Sequence, residues 1–379
     1  MTRRDFIQTG AATTAFASTL TLGSASEKSP MKKKTNPLAN WKGFNLMPFF
    51  SVFHSEEAYR NLSISELDLK WIRDWGFTYV RLPFDYWFFV KGDAIQSKKM
   101  DPANIRNLDE AALEKLDVAL EKCIEYGLHV TLNMHRCPGY CINGWDYEPF
   151  NLFKSPEAED AFLFLWEFLS NRYKGISSQV LSFNLLNEAP NIDERMSRED
   201  YRRVMLRAEK AIHTISPDRE IIIDGTGVGR DIVHNMIGED VHQAFHAYDP
   251  FRLTHYQTYW VGDNSDWPVP TWPYQNEDGS VSDERHLRLQ VAPWAELAKQ
   301  GIGVHCGEFG CYKRTPHKVT LGWFEALMEI LKEYDIGYSL WNFRGEFGII
   351  DSDRHDVEYE DWHGHKLDRK LLNILLKYL

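Results

Sequence analysis

Residues 180–188 read Val180-Leu181-Ser182-Phe183-Asn184-Leu185-Leu186-Asn187-Glu188. The first seven are mostly apolar, as in a strand buried on both faces of a parallel sheet. The last two are a carboxamide and a carboxylate. A charged group that follows a buried run must be paired or functional, because desolvating it alone costs several kcal/mol. The same pattern recurs along the chain. Further β-rich runs are predicted at residues 43–47, 79–82, 129–134, 220–224, 243–247, 304–308 and 337–343. Helical periodicity separates them at residues 65–75, 109–126, 156–173, 198–215, 287–299 and 318–334, and a last helix at 367–379 closes the chain. The helix after the fifth strand is short, near residues 231–237. Eight strand–helix units predict an α/β fold whose parallel sheet closes into a (β/α)8 TIM barrel, a single domain over residues 37–379. An open doubly wound sheet is the alternative. Stretches 84–107, 138–155 and 254–285 are aromatic-rich and weakly periodic, and in a barrel they follow strands two, three and six on the C-terminal face.

The N-terminus reads differently. Arg3-Arg4 precedes an uncharged run from Gly10 to Gly23, too short and too rich in Thr, Ser and Ala to span a membrane. Residues 1–25 are expected to be a twin-arginine-type export signal, and residues 26–36, with Lys32-Lys33-Lys34, a flexible lead-in. The expected location is periplasmic or extracellular. The net charge of −12, from 55 acidic and 43 basic residues, argues against nucleic-acid and anionic-membrane partners and suits a neutral substrate. Thirteen Trp, 17 Tyr and 22 Phe supply flat apolar faces with polar edges, which suit sugar rings as well as a core. The five cysteines form no metal-binding pattern; Cys137/Cys141 and Cys306/Cys311 are close enough in sequence for a disulfide after export, and Cys123 reads as a buried apolar residue.

Polar residues cluster at the predicted strand ends. Glu188 ends the fourth strand and Glu308 the seventh, which face each other across a barrel mouth. Two carboxylates in one cleft are what glycoside cleavage requires. Arg81 lies in an apolar strand and needs an anionic partner. His135 ends the third strand. His246 and Tyr248, two apart, face the same side at the end of the sixth. Trp341 ends the eighth. Trp145, in the loop that starts at Cys137, is a further aromatic candidate for a sugar subsite. Each alone also reads as a structural residue, such as a salt-bridged carboxylate, a histidine satisfied by backbone, or a core tryptophan.

Arg81, His135, Asn187-Glu188, His246-x-Tyr248, Glu308 and Trp341 match, in order and strand assignment, the signature of glycoside hydrolase family 5. The chain from about residue 41 to 379 resembles this cellulase-like family. The resemblance implies a catalytic (β/α)8 domain, retention of anomeric configuration, and no metal or other cofactor. It implies Glu188 as acid/base, Glu308 as nucleophile, and Asn187 as donor to the sugar 2-hydroxyl. Arg81 and Tyr248 would hold Glu308, His135 and His246 would line the central subsite, and Trp341 would floor it, with a cis peptide after Trp341. Arg81 is expected to lower the pKa of Glu308, while Glu188 stays protonated longer. The implied substrate is a β-linked oligo- or polysaccharide, first of all a β-1,4-glucan cut endo-wise. Mannan, xyloglucan, β-1,3- or mixed-linkage glucan and exo-β-glucosidase action are the alternatives within the family. Ala189 stands where the family often has Pro. A metal-dependent hydrolase could draft His135, His246 and Glu308, but the chain lacks HxH on its first strand and an HExxH helix. A non-catalytic sugar-binding barrel is the remaining rival.

Overall fold

The computed structural model describes residues 35–50, 63–91 and 104–379. The expected export signal and residues 26–34 of the lead-in lie outside them. Eight strands close into a parallel barrel: β1 (Lys42–Asn45), β2 (Tyr79–Asp85), β3 (His129–Arg136), β4 (Leu181–Asn184), β5 (Ile221–Asp224), β6 (His242–Ala247), β7 (Val304–Phe309) and β8 (Gly337–Leu340). Each pairs with its sequence neighbours, and β8 pairs with β1 at Lys42↔Tyr338 to complete the ring. The open-sheet alternative is thereby excluded.

Seven helices of nine residues or more form the outer layer among the described residues: α1 (Glu66–Asp74), α2 (Glu110–Glu125), α3 (Pro156–Arg172), α4 (Arg198–Ile215), α5 (Glu284–Ala298), α6 (His317–Glu333) and α7 (Arg369–Lys377). Their starts follow local chemistry. Ser65, Asp109, Asp283 and Asp368 each accept a backbone N–H of the first turn, and Ser197 with Asp200 makes a reciprocal capping box on α4. Helix α5 begins three residues before the predicted 287 because Asp283 caps it there. After β5 the chain makes a four-residue helical turn at Thr226–Gly229 and a three-residue 3₁₀ turn at His234–Met236, the latter shorter than the predicted 231–237 helix. The positive φ values of Gly227 and Val228 break helical continuity in the same segment.

Two packing details place the site. Gly43 of β1 lies so close to β2 that a Cβ there would stand 1.7 Å from the Tyr79 carbonyl oxygen, so only glycine lets these strands pair. The inside of the barrel is polar toward the C-terminal end: Asn133 Nδ2 donates to Asn184 Oδ1 at 2.8 Å and Asn184 Nδ2 to Asp224 Oδ1 at 2.9 Å. At the opposite pole Trp41 stacks on His129 with centroids 3.8 Å apart. All five cysteines are free and buried, so neither close pair forms a disulfide here.

Candidate active site

Arg81 is the hub. It is 1 % exposed, and its guanidinium crosses the barrel to donate to Glu308 Oε1 at 2.6 Å, Asn45 Oδ1 at 2.9 Å, Asn187 Oδ1 at 2.7 Å and Asn184 Oδ1 at 3.1 Å. The anionic partner demanded by an arginine in an apolar strand is therefore Glu308, with the Asp224 carboxylate 3.7 Å away on the other side. The Tyr248 hydroxyl donates to Glu308 Oε2 at 3.1 Å, so both oxygens of this carboxylate are held.

Glu188 stands four residues beyond the end of β4, past two further buried leucines. Its backbone is in the left-handed region, φ +47°, which costs a non-glycine residue about 1–3 kcal/mol and persists only where the surroundings enforce it. They do so from both sides. The Glu188 N–H donates to Asp224 Oδ2 at 2.9 Å, and the Tyr140 hydroxyl donates to the Glu188 carbonyl at 2.7 Å. The side chain then meets His246 Nδ1 at 3.0 Å through Oε1.

Two β-bulges aim the histidines. Along β6 and β7 the register runs Phe245↔Cys306 and then His246↔Glu308, so Gly307 is passed over. Along β2 and β3 it runs Phe84↔Met134 and then Asp85↔Arg136, passing over His135. Bulges of this kind redirect side chains at barrel rims. His246 Nδ1 consequently lies 3.0 Å from Glu188 and 3.6 Å from Glu308, while its Nε2 lies 3.3 Å from Asp224. His135 reaches Asn187 Nδ2 at 3.4 Å and stacks on Trp341 with centroids 5.5 Å apart. Trp341 is partly exposed, and the peptide that follows it is cis, as the resemblance implies.

The structure thus brings Arg81, His135, Asn187, Glu188, His246, Tyr248, Glu308 and Trp341 to one rim. Trp145 stands one layer out: it packs edge-on against Tyr140 at 5.3 Å and under Arg195. Four neighbours were not anticipated. Asn45 and Asn184 brace Arg81, Asp224 braces Glu188, and Phe50 closes an aromatic corner with His135 and Trp341 at 4.5 and 5.2 Å. Asp224 carried the same signal as Glu188, a carboxylate after the apolar run Ile221-Ile222-Ile223. Phe50 carried none.

Electrostatics follow from burial and these pairings. Desolvation pulls the His246 pKa down, but Glu308, Asp224 and the hydrogen bonds outweigh it and raise the ring to about 10, which favours the imidazolium. Desolvation raises the Glu308 carboxyl, against the opposing pull of His246 and Arg81 and with help from Glu188. Arg81 does pull the Glu308 pKa down, as expected, but burial is the larger effect and the net shift is upward, which corrects the expected lowering. His135 is driven well below its usual value, chiefly by desolvation and then by Arg136.

Oxygens of Glu188 and Glu308 and a ring nitrogen of His246 all lie within 4.8 Å of one another, and Glu209, His213 and Asp240 form a second such group. At the first, a cation would have to displace the His246 proton, since only neutral imidazole ligates.

The sequence profile of Cellulase (glycosyl hydrolase family 5) matches residues 31–347. The chain belongs to this family. It is therefore a glycosyl hydrolase, and its barrel and site can be set beside relatives. Endoglucanase C of Acetivibrio thermocellus is 29 % identical over 350 residues, spanning 84 % of this chain and 95 % of that one. Cellodextrinase A of Ruminococcus flavefaciens is 26 % identical over 307 residues, 78 % of this chain and 83 % of its own. A crystal structure described as a glycoside hydrolase superposes on this family 5 chain with a TM-score of 0.82 at 37 % identity, covering 89 % of this chain and 99 % of the other. Thermotoga maritima Cel5A in complex with mannotriose shares the fold at a TM-score of 0.68 and 21 % identity, over 89 % of this chain and 98 % of its own.

Proposed function

We propose that this family 5 chain is a retaining endo-β-1,4-glucanase that works by double displacement. One observation carries the mechanism. One oxygen of Glu188 and one of Glu308 lie within 4.8 Å of each other, both close to His246 Nδ1. Retaining glycosidases hold their carboxyl groups about 5–5.5 Å apart, whereas inverting ones leave about 6.5–9.5 Å for a water. Glu308 attacks the anomeric carbon while the bond to the leaving oxygen breaks and Glu188 protonates that oxygen. A water then attacks the same carbon, Glu188 takes its proton, and the ester to Glu308 breaks. Arg81 and Tyr248 hold both Glu308 oxygens in place for the attack. In this reading Asn187, whose Oδ1 accepts from Arg81, donates through Nδ2 to the sugar 2-hydroxyl, and Trp341 stacked on His135 walls the same subsite; the contacts of Asn187 with Arg81 and of Trp341 with His135 support it.

Endo action is supported by a row of rings leading away from Glu308. Tyr248 faces Phe347 at 6.3 Å, Phe347 faces Trp260 at 6.1 Å, and Trp260 meets Tyr259 at 4.8 Å. Phe347 is buried, while Trp260 is partly exposed and Tyr259 is 68 % exposed, so only the outer two rings face solvent, where an extended glucan and not a single sugar would reach them. The names of the relatives, an endoglucanase and a cellodextrinase among them, support β-1,4-glucan as substrate. Among the described residues, no helix is long and apolar enough to cross a membrane. Export to the periplasm or beyond, with residues 37–379 as the catalytic domain, is part of the same proposal and is supported by Arg3-Arg4 and the uncharged run after them.

The test is Glu308→Ala assayed with and without azide on an aryl β-cellobioside. Azide rescue that yields a glycosyl azide of inverted configuration is the expected result. Undiminished activity without azide removes Glu308 from the mechanism. A polysaccharide panel with product sizing tests the linkage and the endo mode.

A further inference from the structure

We propose that Asp224, at the end of β5, is a positioning residue for the reaction at Glu188: its carboxylate accepts the Glu188 N–H and pairs with the His246 ring, fixing the ring so that Nδ1 addresses Glu188, with Glu308 the next carboxylate beyond it. The inference rests on the double-displacement reading above and concerns what prepares Glu188 for its second task.

Asp224 is fully buried, yet neither of its oxygens is spent on holding the barrel walls alone. Oδ1 accepts from Asn184, which also braces Arg81, at 2.9 Å. Oδ2 accepts the Glu188 N–H at 2.9 Å and lies 3.3 Å from His246 Nε2. Every one of these contacts is to a group that touches a proposed catalytic carboxylate or its immediate brace. A buried carboxylate satisfied by so many donors stays ionised; its pKa is lowered in spite of desolvation, with His246 and Arg81 as the cations responsible.

The ring it addresses has no freedom to turn away. A Cβ on Gly229 would stand 3.0 Å from the ring, and one on Gly307 3.2 Å from Nε2, so backbone packs it from both sides. Nε2 faces Asp224 Oδ2 at ion-pair distance, 3.3 Å, while Nδ1 hydrogen-bonds Glu188 Oε1 at 3.0 Å, with Glu308 Oε2 further off at 3.6 Å. The charged and titratable groups facing His246 are Glu188 after β4, Asp224 on β5, Glu308 on β7, His135 on β3, Tyr248 on its own strand, and Arg81 on β2 through the same carboxylates. Glu308 and Asp224, with the hydrogen bond to Glu188, outweigh the desolvation of the ring, which is why it keeps both protons.

The consequence falls on the second half of the cycle. Once Glu308 is esterified to the sugar its charge is gone, and Glu188, already the hydrogen-bond partner of Nδ1, is the one carboxylate left within ion-pair distance of that nitrogen. That hydrogen bond steadies ionised Glu188 as it takes the proton from water. Without Asp224, the ring loses its second proton more readily, and the Glu188 peptide loses one of its two anchors.

The decisive measurements use the full chain and Asp224→Asn. Imidazole ¹⁵N NMR should show His246 of the wild type protonated on both nitrogens at neutral pH. In Asp224→Asn its titration should fall by about 1–3 pH units. With 2,4-dinitrophenyl β-cellobioside, whose leaving group needs no acid, kcat reports hydrolysis of the glycosyl-enzyme. It should fall at least about tenfold in the variant, with KM falling alongside as the intermediate accumulates, and the alkaline limb of kcat should move to lower pH. A neutral His246 in the wild type at pH 7 would overturn the proposal, and this arm needs no variant to fold. An Asp224→Asn enzyme with unmoved alkaline limb and unchanged kcat would overturn it as well. If Glu308→Ala retains full activity, the double-displacement reading fails separately, while the NMR result still judges the Asp224–His246 contact.

Discussion

Replacing Arg81 by Met would remove the one buried cation that ties Glu308, Asn45, Asn184 and Asn187 together. The methionine fills part of the volume, so the main effect is electrostatic. Deleting one partner of a buried pair costs about 3–5 kcal/mol, because the other charge stays desolvated. Here the pair is at 2.6 Å and both side chains are almost completely buried, so the full range applies. Urea unfolding should show a loss of that size. Activity should change in a specific direction. Burial already raises the Glu308 carboxyl, and Arg81 is one of two cations opposing the rise. Removing it should lift the acid limb of kcat/KM by about 1–3 pH units, since the nucleophile must be ionised. The sign for stability follows from the same shift. A carboxyl whose folded-state pKa lies above its unfolded one stabilises the fold fully below the ordinary carboxylate range, and loses that contribution as pH rises through the raised value. The deficit of Arg81→Met should therefore grow with pH. Arg81→Lys should restore part of the acid limb, because the charge returns, but less of the stability, because the planar fork does not. An acid limb that stays in place, together with an unfolding free energy within about 0.5 kcal/mol of wild type, would refute this account of Glu308.

Tyr140→Phe removes the hydroxyl that fixes the Glu188 carbonyl and should lower kcat about threefold to tenfold with little change in KM, as a net loss of about 0.5–1.5 kcal/mol predicts. Trp260→Ala should lower kcat/KM for cellopentaose much more than for an aryl β-glucoside, if the ring row binds distant sugars; equal losses on both would exclude that role. Glu148 is buried, and desolvation raises its carboxyl to about 8 although Gly139 N–H, Tyr86 and Trp87 donate to it. Its stabilising contribution is thus present below the unfolded value and lost as pH climbs to about 8, so Tm should fall between about pH 5 and pH 8 more steeply in wild type than in Glu148→Gln.

Legibility varied with how local the cause was. All eight barrel strands could be placed from apolar runs and the glycines and polar residues that bound them, because burial on both faces leaves a mark on every residue of a short strand. Helix starts were legible where a Ser or Asp cap stands at the right offset, as at Ser65, Asp109 and Ser197, whereas Asp283 and Asp368 cap helices whose predicted starts, 287 and 367, fell after and before them. The segment after β5 was overestimated because its apolar residues, Ile232, Val233, Met236 and Ile237, suggest a helix that the turn at Gly227-Val228-Gly229 leaves no room to build. Asp224 was missed although its context matched that of Glu188, since no family pattern singled it out.

The sequence by itself determined the alternation of strands and helices, the closure that eight such units favour, and the short set of polar residues at strand ends. These follow from local patterning, which each segment carries whatever its neighbours do. Only the tertiary structure decided which of them touch: that Arg81 spans to Glu308, that bulges at His135 and Gly307 turn two histidines into the mouth, and that Asp224 grips the peptide of Glu188. It also decided the direction of the Glu308 shift. Desolvation depends on how completely the closed barrel excludes water around a group, and that is a property of the assembled packing rather than of any stretch of chain.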